Sequence, residues 1–383
     1  MTMIELLVAM AIGVGVVLAV STLLVAGENH KRTTTSTNDA DQAGSYAFYA
    51  LDKALRSAGS AIAESAYPLD HGVLSCKLNA AGILPRAGAF PPPFATGFLG
   101  GAPSNLRVAP LLIGQGQSDN NSSDVIVVMS GSGAAGGVSR AINDPGSSTS
   151  VILESTTGFA ISDLVLVSQN GVTDCLLEEV AAIAPPQLNV GGTTYYTANG
   201  TATNLATLSA STTTYVTPLG NAGANNVQFT LFGVGTNDTL YSYDLLQNQS
   251  LVQGSGGDTS EAITDGVVQM NALYGIESTT QPGILATWAS PFDPGYQINT
   301  VMTTPATIKS IIAVRVALVV RGEYYDKNRV SPPTLTIFSG YTNLAGASLQ
   351  KVVNLNVAAQ HYRYRVFEFT VPLRNMLLLA GAP

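Results

Sequence analysis

The sequence predicts an α+β fold, a long amino-terminal helix packed on a large, mostly antiparallel β-rich head. Three observations predict it. From Leu6 to Ala26 the chain runs through Leu, Val, Ala, Ile and Met without a single charged residue. From Ala43 to Ile62 apolar residues return at three- and four-residue steps, the period of a helix with one buried face. Beyond Ala63, short apolar segments alternate with Gly, Pro, Ser, Thr and Asn, the pattern of strands and turns.

The apolar run is interrupted only by Gly13, Gly15, Ser21 and Thr22. About 20 such residues in a helix reach across the hydrocarbon core of a bilayer. Glu5 stands at the start of this run, where an acid is costly to bury and calls for a partner. A secretory signal would carry a basic leading region and a small-residue cleavage pattern, and Leu24 is too bulky for a cut after Ala26. A plain membrane anchor explains the apolar residues but not the acid. Gly13 and Gly15 weaken the helix by about 1 kcal/mol each relative to Ala. They fit either local unwinding as the helix leaves a bilayer or close packing of neighbouring helices.

After Gly27 the chain turns polar through Asn38, with Lys31 and Arg32 just outside the apolar run. Ala43, Ala47, Ala50, Leu51, Ala54, Leu55, Ala58 and Ile62 then form a stripe suited to a sheet. One helix from about residue 2 to 62 is the simplest reading. Residues 1–63 form the helix, with 1–27 its membrane or filament-core part, and residues 64–383 form the head. Val125–Met129, Leu164–Val167, Val227–Phe232, Val267–Leu273, Ile311–Val320 and Arg363–Thr370 read as strands. Pro91 to Pro93 and Gly97, Gly100 and Gly101 mark a loop region. A Gly/Ser/Thr-rich stretch at about 131–225 reads as an insertion with its own hairpins, carrying Cys175.

Thr2, Met3, Ile4, Glu5, Leu6, Leu7, Val8, Ala9 and Met10 resemble the mature start of type IV pilins. The resemblance implies that a prepilin peptidase cuts before residue 1 and methylates the new amine, and that Glu5 is the acid the family keeps at that place. Members usually begin with Phe, whereas this chain has Met1. Either Met1 is an unusual processed terminus or the chain lacks a leader for another reason, and Glu5 favours the first. By the same resemblance Glu5 pairs with the positive terminal amine of a neighbouring subunit, so that losing either partner strands a charge in an apolar core. Ala43, Gly44, Ala47, Leu51, Leu55, Arg56, Ala58 and Gly59 resemble the helix of the large PilW-type minor pilins. Val267 with Tyr274 and Gly275 resembles their later strand, and Val371, Pro372, Leu373, Arg374 and Asn375 their ending.

Only 11% of the 383 residues are charged and the net charge is -8, with a pI of about 4.8. That balance disfavours nonspecific nucleic-acid binding. Cys76 and Cys175 lie beyond the apolar run, where an oxidising compartment would let them pair. The bond would close a loop of about 100 residues, worth roughly 4 to 5 kcal/mol of unfolded-state entropy; two separate buried thiols are the alternative.

Gly131, Gly133 and Gly136 follow a strand as a dinucleotide-binding turn does, but Val138 to Asp144 is too short for the required helix before Pro145. His30, His71 and His361 lack neighbours at metal-ligand spacing. Asp119, Asn120, Asn121 and Asp124, and Asp258 with Glu261, are oxygen-rich loops without EF-hand spacing, read as solvated turns before calcium sites. Asn199-Gly200-Thr201 is a glycosylation sequon of the kind expected by chance here. Arg363 and Arg365 alternate with Tyr362, Tyr364 and Val366 and read as the basic face of an edge strand before a phosphate contact. No nucleophile motif, cofactor or metal is expected.

The reading that follows is a non-enzymatic filament subunit resembling a PilW-type minor pilin. Its partners would be other copies or other pilins through the helix, the prepilin peptidase and the assembly machinery. It would sit in the inner membrane first and in an extracellular filament afterwards. A major repeating subunit, a type II secretion pseudopilin and a membrane-anchored adhesin or hydrolase are the alternatives.

Overall fold

The computed structural model describes residues 2–66, 71–79, 90–94, 106–118, 122–132, 138–191, 204–221, 224, 226–246 and 260–379. The amino-terminal helix α1 (Met3–Ser57) is continuous through Gly13 and Gly15. It ends short of the expected residue 62, and a separate turn of helix, α2 (Ile62–Ser65), follows. The reason is local. Gly59 and Ala61 take positive φ, and the Gly59 N–H donates to the Met129 carbonyl while the Gly131 N–H donates to that of Ser60. Hydrogen bonds that would have prolonged the helix are given to a strand instead.

Among the described residues the head holds three sheets and a hairpin. A five-stranded antiparallel sheet runs in the order Glu261–Asp265, Thr239–Asp244, Gln228–Val234, Val125–Ser130 and Leu111–Gly114. A four-stranded antiparallel sheet runs in the order Leu285–Ala289, Val267–Glu277, Ile311–Arg321 and Tyr364–Pro372. Together with α1 these two sheets bury one apolar core, to which the helix contributes Ala40, Ala47, Leu51, Leu55 and Ala58, all at most 1% exposed. The strands extend the segments read from the sequence by a few residues, except that those expected from Val227 and Arg363 each begin one residue later. The buried hydroxyl of Tyr274 accepts the Ile113 N–H at 2.6 Å and ties the two sheets together.

The part of the head between residues 138 and 221 is built differently. Strands Arg140–Asp144, Ser150–Leu153, Asp163–Gln169, Asp174–Ala184, Gln187–Val190 and Thr214–Asn221 pair around a closed ring, because Gln187–Val190 bonds to both Ser150–Leu153 and Asp174–Ala184. Alternation sorts the side chains of this small barrel. Val165, Val167, Leu176, Val180 and Val216 fill its interior, while Leu164, Leu166, Cys175 and Leu177 face the main core. Cys76 is bonded to Cys175, and the adjoining Lys77–Asn79 adds a parallel strand to the barrel wall. With a separation of 99 residues, the bond restricts the unfolded chain by about 4.7 kcal/mol in the loop-entropy account. A third apolar cluster, with Ile337, Phe338 and Val353, lies under the hairpin Thr334–Ile337 and Lys351–Asn354.

Candidate assembly surface

The placement of α1 follows from a run of contacts between its second half and the last strand. Arg363 donates to the Thr33 hydroxyl at 3.1 Å. Arg365 pairs with Asp41 at 3.2 Å. A Cβ on Gly44 would overlap the Phe367 ring, and Phe48 meets Phe369 edge to face at 4.5 Å. Asn375 donates to the carbonyls of Ser57 and Ala58, closing the helix end. From the Thr33 contact to the Phe48 contact the helix rises about 22 Å at about 1.5 Å per residue, and from Arg363 to Phe369 the extended chain rises about 20 Å at about 3.3 Å per residue. The two therefore climb side by side from a base near Thr33 to a top near Ser57. At the base, a Cβ on Gly322 would strike Ser36.

Below Thr33 the same helix leaves the head. Met3, Ile4, Leu7 and Leu23 are 69 to 90% exposed. The most apolar window of this helix has a mean hydropathy of 2.6 and no part of it is buried. By length and composition it is able to cross a membrane. Among the described residues nothing covers this large apolar surface.

Glu5 lies in the first turn of α1. Its Oε2 accepts the Thr2 N–H at 2.8 Å, so in the single chain it caps its own helix. Its second carboxylate oxygen has no partner among the described residues. Met1 lies outside the described residues. Gly13 and Gly15 have no neighbouring atom within 4 Å of a Cβ, so their packing belongs to whatever surrounds the helix.

The other sequence-derived sites resolve one by one. Gly133 and Gly136 lie outside the described residues, and the segment after them forms the strand Arg140–Asp144 rather than a phosphate-binding helix. Asp119, Asn120, Asn121, Asp258 and the sequon at 199–201 also lie outside the described residues. Asp124 is buried, and its two oxygens accept the N–H groups of Gly116 and Ala272. Burial raises its pKa, with Lys351 and these hydrogen bonds opposing that shift. Its role is to join two sheets. His71 stacks on Tyr215, and His361 contacts the Asp326 carbonyl through Nδ1 at 2.8 Å. Among the described residues no three His, Cys, Asp or Glu gather as a metal-binding group.

Arg363 and Arg365 require a correction. Arg365 lies on an edge strand and Arg363 immediately before it, but both reach toward α1, and their charges are matched by Asp41 and Asp326. The strand is not an open basic face. A groove of about 1050 Å³ lies between α1 and the five-stranded sheet, lined by Tyr46, Tyr49, Lys53, Thr230, Asp244 and Glu261 among others. No His or Cys lines it.

Sequence reading missed the barrel closure and Glu178. This carboxyl is 7% exposed on a barrel strand, in step with the inward-facing Leu176 and Val180. Burial pushes its pKa up to about 8. The signal was present as the acid pair Glu178 and Glu179 between the apolar residues Cys175 to Leu177 and Val180, although the pair hid the alternation that turns Glu178 inward.

Comparison with known proteins places residues 231–375 in a match to the PilW family, described as Type IV Pilus-assembly protein W. The matched part contains the four-stranded sheet, the hairpin and the strand that runs beside α1. No curated protein matches the chain. Among solved structures, a type IV-like pilin from Thermus thermophilus aligns at 11% identity over 56% of this chain and 87% of that one, with a TM-score of 0.23. A superposition at that level carries no argument about fold or function.

Proposed function

We propose that this chain is a structural subunit of a type IV pilus or related filament, PilW-like and acting as a minor pilin rather than an enzyme. The coarse part of this reading, a pilus-related structural protein, is what the PilW match indicates. The observation that carries the proposal is the division of α1, whose second half is the spine of the head while its first half stands free and apolar. Before assembly the free half would lie in the inner membrane. Afterwards it would pack with the same half of other pilins. In that apolar setting Glu5 would exchange its bond to the Thr2 N–H for the terminal amine of a neighbour. A buried acid of this kind favours only an arrangement that supplies the positive partner. Prepilin processing at Met1, with methylation of its amine, belongs to the same proposal.

The disulfide agrees with export to an oxidising compartment. The barrel, with its own interior and a single covalent tie near its wall, is proposed as a separate insertion in a head spanning residues 64–383. Immunogold labelling of sheared surface filaments tests the function. Label at filament ends or at rare points supports a minor pilin. Label along the whole shaft makes the chain the major subunit, and filaments without label contradict the proposal.

A further inference from the structure

Head contacts with α1 begin close to where its apolar run stops, and this fixes what lies beneath the head. Ala26 is seven residues before Thr33, about 10 Å along the helix. Thr33 is held by Arg363, which also pairs with Asp326 at 3.3 Å. Asp326 belongs to the loop after Gly322, and Gly322 itself sits against Ser36. The loop 323–330 therefore hangs at the level of Thr33 to Ser36, on the side of the head that faces the apolar run. A bilayer headgroup layer extends about 5 to 8 Å beyond the hydrocarbon. Long side chains on this loop are within reach of it.

Its composition suits that place. Tyr324 and Tyr325 are 47% and 54% exposed, although Tyr325 is steadied by stacking on His361 at 4.8 Å. Lys327, Asn328 and Arg329 are exposed. On α1, Lys31 and Arg32 are exposed two residues and one residue before Thr33, which holds Arg363. Several of the nearby charges are already paired, Arg32 with Glu28, Arg321 with Asp238 and Arg363 with Asp326. Those outside ion pairs among the described residues of this underside are Lys31, Lys327 and Arg329 against Glu323. In a chain with a net charge of -8, this is a local excess of positive charge. Exposed tyrosines beside lysine and arginine, next to a membrane-length helix, are the chemistry of a membrane–water interface.

We infer that the loop 323–330, with Lys31, docks the head on an anionic phospholipid surface while α1 is in the bilayer. This rests on the proposed membrane residence of α1. The docking fixes the angle at which the head stands on its helix before assembly.

Both native cysteines are joined to each other, so a single new cysteine in the full chain is a unique labelling site. Nitroxide labels at Val16→Cys, Asn328→Cys and Thr279→Cys, in nanodiscs with and without phosphatidylglycerol, separate the outcomes. The measured quantity is relative accessibility to oxygen and to a polar nickel complex. The label at 16 should be immersed in every disc, and an aqueous label there would sink the membrane reading itself. The label at 328 should enter the headgroup layer only in discs with phosphatidylglycerol. The label at 279, in the turn at the top of the head, should stay aqueous throughout. Changing Tyr324→Ser, Tyr325→Ser, Lys327→Glu and Arg329→Glu together should return the label at 328 to water while that at 16 stays immersed. The inference is overturned if the label at 328 is aqueous in all discs, or equally immersed without phosphatidylglycerol. It is also overturned if that label is immobilised by raising the number of chains per disc rather than by the lipid, since a second copy would then cover the loop.

Discussion

The two halves of α1 share a backbone and differ in what their apolar residues touch. In the half above Thr33, Leu51 and Leu55 are fully buried and Gly44 admits an aromatic ring from the neighbouring strand. In the half below, Leu7, Leu18 and Leu23 are more than 60% exposed along the same continuous helix. Helix propensity does not separate the halves. The difference is one of patterning, because the upper half carries a stripe and the lower half is apolar on every side. A stripe needs one neighbour, whereas a helix apolar all round needs an apolar medium or several neighbours.

Stability measurements can break or sharpen this contrast. Leu55→Ala should destabilise the head by about 2 to 5 kcal/mol, whereas Leu18→Ala should change head unfolding by less than about 0.5 kcal/mol. Denaturant unfolding in detergent, followed at Trp288, checks both, and equal effects would break the contrast. Next in size is a pH effect confined to the barrel. Glu178 has a folded pKa of about 8 against an ordinary 4.5. As pH rises through that window the unfolded chain releases a proton that the folded chain keeps, so stability falls with pH. Glu178→Gln should remove the fall between about pH 6 and 8. The fall below pH 6 should remain, since burial also holds Asp244 up at about 6. Thermal unfolding across pH 5 to 8 measures both parts.

Smaller again, Gly44→Ala has to displace the Phe367 ring and should cost about 1 to 3 kcal/mol, whereas Gly13→Ala meets nothing in the single chain and should leave head unfolding unchanged. Arg365→Ala removes a half-exposed ion pair with Asp41 and should cost no more than about 1 kcal/mol.

The legible parts of the sequence were those with short periods. The apolar run, the stripe from Ala43 to Ala58 and the six strand segments each declare themselves within a window of ten to twenty residues. What joins them is non-local and was not legible. Gln187–Val190 closes the barrel by pairing with Ser150–Leu153, and nothing in those segments names the other. Arg365 reads as a surface cation until Asp41, 324 residues earlier, is beside it. The helix end was read at residue 62, past Gly59, and Ala61 takes positive φ without a glycine that would have announced the turn. Glu5 is the reverse case. Its position was visible in the sequence, while the single chain shows it only as a cap on its own helix.

That acid allows the most direct test of the claim that the free half of α1 is the assembly element. Glu5→Gln keeps the shape of the side chain and can still accept the Thr2 N–H, but it cannot pair with a charged amine. Incorporation into sheared filaments should be scored by immunoblot against the cell-associated pool, with the Cys76–Cys175 bond and head unfolding measured on the same variant. The account predicts an unchanged head and loss of the protein from filaments. Incorporation at the normal level by a chain carrying Gln at this position would contradict it.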